Sequence, residues 1–191
     1  LDLKLRKEMQ LELKRIQHEV GITFVHVTHD QEEAMTMADQ IVIMNGGHIE
    51  QLGTPSELYE QPTTSFVAGF LGASNLLHGT VAGDDRVCLD CGADVHVPRA
   101  AIAGRSGAVQ VGVRPEKIRI GGDQPNTLSG TVTESAYIGV STQYIVDTPA
   151  GAVTVDVQND RPGAQGVAPG DRLTLGWSPE CTFVVEAQED S

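Results

Sequence analysis

Leu77-His78-Gly79-Thr80-Val81 recurs as Leu128-Ser129-Gly130-Thr131-Val132, and Gly112-Val113-Arg114-Pro115-Glu116 recurs as Gly176-Trp177-Ser178-Pro179-Glu180. Around these strings lie short β-patterned runs at 76–81, 86–91, 93–97, 108–113, 128–134, 141–147, 152–157 and 171–177, separated by Gly, Pro, Asp and Asn. Many short strands at this spacing predict an all-β barrel or sandwich. Two copies are too few for a solenoid, so the repeat predicts two related β half-units forming one compact region. The first string recurs from 77 to 128 and the second from 112 to 176. The second copy therefore carries a longer hairpin, expected around Asp147 to Ala152. The Gly-x-x-Pro-Glu strings mark turns leaving a strand, because proline cannot continue a central ladder.

The texture is different before residue 73. Apolar residues at Leu5, Met9, Leu13, Ile16 and Val20 fall in steps of four and three, which predicts an amphipathic helix stopped at Gly21. Ile22-Thr23-Phe24-Val25-His26-Val27 is a β-branched, largely apolar run, as expected for a parallel strand buried on both faces. Asp30 and Glu33 then have the form of a helix N-cap with its reciprocal acidic partner. Ile41–Met44 and His48–Leu52 flank Asn45-Gly46-Gly47, the signal of a tight hairpin. Thr54-Pro55-Ser56-Glu57 opens a second short helix ended by Pro62, and 63–70 is a third, closed by Gly72. The chain therefore divides into an α/β piece, 1–72, and an all-β piece, 73–191.

His29 stands where the strand ends and the helix begins, the position at which open α/β sheets place ligands. Phosphoryl transfer depends on positioning and charge stabilisation, and a strand-end imidazole suits both. By position alone, a structural capping role is the alternative. His26 and His29 form H-x-x-H, but three residues along a strand point to opposite faces, so joint metal ligation is not expected. Cys88-Leu89-Asp90-Cys91 is a lone C-x-x-C: zinc would need two more ligands, with His78 and His96 as the nearby candidates, and the other reading is a β-turn flanked by half-buried cysteines. Arg114, Lys117 and Arg119 form a small basic cluster, suited either to an oxyanion or to a solvated face paired with Glu116.

Thr28-His29-Asp30-Gln31-Glu32-Glu33-Ala34, Ala38-Asp39-Gln40-Ile41-Val42-Ile43-Met44, Gly53-Thr54-Pro55 and Phe66-Val67-Ala68-Gly69-Phe70-Leu71-Gly72 together closely resemble the end of the ATP-binding subunit of ABC importers. The nearest subgroup carries polyamines, iron or sugars, with polyamine preferred. The β tail resembles that subgroup's TOBE region, and Val113-Arg114-Pro115-Glu116-Lys117-Ile118 is its most recognisable string. The resemblance implies the C-terminal remnant of a P-loop NTPase domain followed by an OB-like, MOP-like regulatory barrel. It makes His29 the switch histidine at the γ-phosphate, catalytic and nucleotide-contacting, and Asp2 the last residue of a loop that reaches the nucleotide across a dimer interface. It also implies ATP and Mg as cofactors of a longer parent that hydrolyses ATP. The implied partners are a second copy of the chain, membrane-spanning permease subunits and, indirectly, an external solute-binding protein, on the inner face of the cell membrane.

The chain departs from the family in having no Gly-x-x-x-x-Gly-Lys loop, no Asp-Glu pair after an apolar strand upstream of Leu1 and no signature segment. It begins at Leu1 and reads as a fragment, expected to be inactive alone and to carry no cofactor. A buried-type strand at 22–28 without neighbours would invite pairing with a second copy. The competing function is a β-barrel module that senses a small anion or serves dimerisation without catalysis. Composition narrows the classes further. Thirteen basic against 26 acidic side chains give a net charge of −13, which argues against a nucleic-acid binder. No run approaches the roughly 20 apolar residues of a membrane span, and three cysteines without framework spacing fit a reducing compartment.

Overall fold

The computed structural model describes residues 3–159 and 167–187. The chain forms two compact units, Leu1–Gln61 and Pro62–Ser191.

In the first unit, helix α1 (Leu3–Val20) ends at Gly21, whose positive φ of 70° allows its N–H to bond Gln17 O at 2.9 Å. Helix α2 (Gln31–Met37) is capped by Asp30, which accepts from the Glu33 N–H. Strands β1 (Ile41–Asn45) and β2 (His48–Gly53) pair antiparallel across Gly46-Gly47. It is these two glycines, at φ 54° and 83°, that supply the left-handed turn, and Asn45 stays in the strand. Helix α3 (Pro55–Glu60) carries a full capping box between Thr54 and Glu57 and buries Leu58 completely.

The buried strand expected at Ile22–Val27 does not form. Val25 and Val27 are 90% and 92% exposed, and no described strand pairs with this run. A strand exists only through ladder partners, and among the described residues this run has none. The apolar stripe of α1 is likewise exposed at Leu5, Met9, Leu13 and Val20. Periodicity shaped the helix, but among the described residues its apolar stripe is not buried in this unit.

The second unit opens with helix α4 (Ser65–Phe70), upstream of the change in texture near 72–75. It joins the β region because Ala68 packs with Phe183 and Val185. Two five-stranded sheets follow. The strands are β3 (Asn75–Val81), β4 (Arg86–Leu89), β5 (Asp94–His96), β6 (Ala108–Val113), β7 (Arg119–Ile120), β8 (Asn126–Tyr137), β9 (Ser141–Thr148), β10 (Gly151–Gln158), β11 (Arg172–Trp177) and β12 (Thr182–Glu186), with a short helix, α5 (Arg99–Ile102), between β5 and β6. The sheet orders are β12-β6-β3-β4-β5 and β10-β9-β8-β11-β7.

These orders are one pattern written twice. In each half a hairpin triplet is joined by the next strand on its free side, and the last strand crosses to the other half's sheet. The crossing occurs at the repeated Pro-Glu strings, which form 3-10 turns at Pro115–Lys117 and Pro179–Cys181. So β7 pairs with β11 and β12 pairs with β6. The longer second hairpin is present, with eight residues in each of β9 and β10 against four and three in β4 and β5. Its extra length lies in the strands, since only Pro149-Ala150 separates them.

Both sheets bury their inner faces in one core that includes Leu77, Val87, Val111, Leu128, Val146, Val155, Leu175 and Trp177. Two side chains stitch the barrel where no ladder does. Asn126 at the start of β8 accepts from the His96 N–H at 2.7 Å and donates to His96 O at 2.8 Å. Its repeat mate Asn75 accepts from the Thr154 N–H at 2.7 Å and donates to Thr154 O at 2.9 Å. Each buried amide thus imitates one residue of a neighbouring strand. The glycine in the repeated string has an equally local cause. A Cβ on Gly79 would lie 2.6 Å from Cys88 O, and one on Gly130 would lie 2.5 Å from Asp147 O. Backbone cannot yield there, so both copies keep the residue without a side chain.

Candidate functional site

His29 is exposed, at the point where the extended segment enters α2. Its neighbours on either side are held. The Asp30 N–H donates to Thr28 Oγ1 at 3.0 Å, the Thr28 hydroxyl donates to Glu33 Oε2 at 2.6 Å, and the Glu33 N–H returns to Asp30 Oδ1 at 3.2 Å. These three bonds close a ring around the backbone of His29. Glu33 also takes His26 Nε2 at 3.2 Å and Gln10 Nε2 at 3.4 Å, which ties α1, the extended segment and α2 to one carboxylate. Lys14 Nζ adds a bond to Thr36 O at 3.2 Å.

The Thr28 hydroxyl, with smaller help from His26 and Gln10, lowers the Glu33 pKa to about 2. Each of these donors favours the charged form, so Glu33 is ionised throughout the neutral range. A carboxylate whose folded pKa is depressed adds stability above its unfolded pKa and loses it as pH falls through the folded value. Here that loss falls between the ordinary carboxylate range and pH about 2.

Of the residues expected at the site, His29 stands on this turn, and Asp2 lies outside the described residues. His26 Nε2 lies 3.2 Å from Glu33 Oε2. Among the described residues no group of three or more His, Cys, Asp or Glu side chains is arranged to hold a metal ion. Cys88 ends up half-buried in β4, and Cys91 is exposed within the turn that the Gly92 N–H closes on Leu89 O at 2.8 Å, so the turn carries one cysteine and is not flanked by two.

The basic cluster separates. Arg114 is 1% exposed, and its Nη1 lies within bonding distance of Ala68 O (2.8 Å), Gly72 O (3.2 Å), Ala73 O (3.2 Å) and Ser74 Oγ (2.7 Å). Its Cζ stands 5.7 Å from the Phe183 ring centroid. This cation closes the C-terminal end of α4, where carbonyls lack helix partners and the helix dipole is negative. Lys117 and Arg119 instead line a cleft of about 210 Å³ with Glu116, Gln124, Trp177, Ser178 and Cys181. A shallower depression of about 390 Å³ on α1, lined by Leu11, Lys14, Arg15, Gln17, His18, Glu19 and Asp39, does not include His29. Shape alone therefore does not point to the chemistry.

Two repeated half-sheets that exchange their last strands, preceded in the chain by a histidine-bearing turn, define an OB-like, MOP-like barrel fold after a mixed helix and strand segment. Residues 111–185 match the TOBE domain family. Among solved structures the cytoplasmic molybdate-binding protein ModG aligns with a TM-score of 0.51 at 16% identity, over 59% of this chain and 96% of that one, a likeness of fold alone. The sequence is 50% identical over 193 residues to the spermidine/putrescine import ATP-binding protein PotA of Thermobifida fusca (strain YX), covering 97% of this chain and 50% of the relative. The PotA proteins of Acidothermus cellulolyticus and Rubrobacter xylanophilus match at 49% and 46% identity, over 94% and 93% of this chain and 49% and 48% of theirs. Over more than nine-tenths of its length the chain is thus similar to ABC importer ATP-binding subunits, and the likeness is to their C-terminal part. It spans about half the length of the curated relatives it matches. Among the described residues no helix is long and apolar enough to cross a membrane.

Proposed function

We propose that this chain is the C-terminal part of the nucleotide-binding subunit of a polyamine importer, in which ATP hydrolysis energises uptake of spermidine or putrescine. The observation that carries this reading is the turn at His29, an exposed imidazole between two pinned residues in a chain 50% identical to a polyamine-import ATP-binding protein. A γ-phosphate needs a donor presented at fixed geometry in a partly dry site, and an imidazole N–H supplies one. The residues of this chain fit one edge of such a site, because they include the histidine but no Gly-x-x-x-x-Gly-Lys loop to cradle the other phosphates. Bound ATP, with its Mg²⁺, supplies the phosphoryl group whose release drives the conformational cycle. His29 holds a γ-phosphate oxygen and orients the attacking water, and Asp2 belongs to the loop that meets a second subunit. The barrel acts as a regulatory tail of the dimer, which sits against permease subunits on the inner membrane face and serves an external binding protein through them.

ATP binding and hydrolysis by the full-length gene product and by the 191-residue chain test this directly. The full-length protein binds ATP·Mg and hydrolyses it, whereas the chain alone does neither. A full-length protein that neither binds nor hydrolyses ATP contradicts the proposal and moves attention to the barrel.

A further inference from the structure

The hydrogen-bond ring around His29 does more than cap a helix. A seven-residue helix with an aspartate N-cap needs only the bond from the Glu33 N–H to Asp30 Oδ1. The Thr28 hydroxyl is additional. It accepts from the Asp30 N–H and donates to Glu33, so it bridges the residue before His29 to the two that follow the turn. The backbone of His29 is thereby fixed on both sides while its ring remains in solvent. Fixing the backbone of a residue before any ligand arrives removes in advance the conformational entropy that a positioned catalytic group otherwise loses on binding. Glu33 suits this task because it is anchored a second time through His26 and a third through Gln10 of α1. Its side chain is 21% exposed, so it keeps contact with water and stays charged without full burial.

We infer that Thr28 and Glu33 are positioning residues for His29, setting the imidazole where a γ-phosphate oxygen is held. This rests on the catalytic reading of His29 given above. Neither side chain touches the nucleotide in this account, and both act through the His29 backbone.

The test uses the full-length protein with Thr28→Val, which keeps the shape and removes the hydroxyl, Thr28→Ser, which restores it, and Glu33→Ala. Thr28→Val lowers kcat about tenfold, the order expected when a catalytic group loses its fixed geometry, with KM for ATP within about twofold. Thr28→Ser stays within about twofold of the parent, and Glu33→Ala falls with Thr28→Val. In a His29→Ala background Thr28→Val adds no further loss, because the group it positions is gone. In the 191-residue chain, the Asp30 amide loses hydrogen-exchange protection in Thr28→Val and keeps it in Thr28→Ser. Full kcat in Thr28→Val, an equal further loss on top of His29→Ala, or unchanged Asp30 exchange overturns the inference. A His29→Ala enzyme with the parental rate overturns the catalytic reading instead, so the two failures are distinct.

Discussion

Replacing His29 by alanine in the full-length protein lowers the ATP hydrolysis rate by about 10²-fold or more, while nucleotide binding stays within a few-fold of the parent. The magnitude is that of removing one pre-aligned donor at a site of developing charge, about 10²–10³ in kcat. Binding is expected to survive because, on the proposed reading, the phosphate-cradling loop is not among these residues and a single exposed ring contributes little to the ground state. The split between kcat and KM is therefore the signature to read. Phosphate release under saturating ATP, beside equilibrium binding of a fluorescent ATP analogue, gives both quantities. Equal losses in binding and turnover would assign His29 a general binding role rather than one in the reaction.

The second large effect is on stability. Arg114→Ala removes a buried guanidinium from Ala68 O, Gly72 O, Ala73 O and Ser74 Oγ, and no other cation of the cluster is placed to replace it. Each buried acceptor left without a donor costs about 1–3 kcal/mol, and the packing against Phe183 is lost as well. Because one Nη1 serves several acceptors the losses do not add, and a total of about 3–4 kcal/mol is expected. Trp177 is the single tryptophan and lies in the barrel core, so its fluorescence follows this unit alone. The urea midpoint moves down by about 2 M for a slope near 2 kcal/mol/M. Arg119→Ala removes the same charge from an exposed position and shifts the midpoint by less than about 0.3 M. A small effect of Arg114→Ala would mean that α4 does not depend on this clamp.

The two parts of the chain were legible from sequence to different degrees, for physical reasons. In the β region the period-2 pattern and the Gly and Pro breaks are local properties, and they located the strands from β3 through β11 apart from the two-residue β7. Thr182–Glu186 escaped the pattern because it is buried on nearly every residue and shows no alternation. The repeat announced the two half-units, but its first string starts at Leu77 and Leu128. The asparagines two residues earlier, which close the barrel, complete it as Asn-x-Leu-x-Gly-Thr-Val at 75 and 126. That extension was present in the sequence, and the bond it makes is long-range.

Before residue 62 the helix and hairpin signals were accurate, whereas Ile22–Val27 was not a strand. Its composition describes a run made to be covered on two faces, and composition cannot supply the neighbours that do the covering. At the site, the Asp30 cap followed from spacing, but Glu33 is not its reciprocal partner: the Asp30 N–H goes to Thr28 Oγ1, and the Glu33 carboxylate takes Thr28, His26 and Gln10 instead, a ring the spacing did not announce. Threonine, aspartate and glutamate at positions 28, 30 and 33 satisfy several turn motifs, and only coordinates choose among them. Arg114 shows the reverse error. It sits beside Lys117 and Arg119 in the chain and reads as one patch with them, yet the 3-10 turn at Pro115 sends it inward while its neighbours line a surface cleft.

Uptake is the decisive measurement. Vesicles containing the permease subunits and the full-length protein, with labelled spermidine and its binding protein on the external side, are expected to accumulate spermidine only when ATP is supplied on the side of the nucleotide-binding subunit. Accumulation should fall with His29→Ala in proportion to the loss of hydrolysis. ATP-independent accumulation, or ATP-driven accumulation of a sugar or iron chelate with none of spermidine or putrescine, would contradict it.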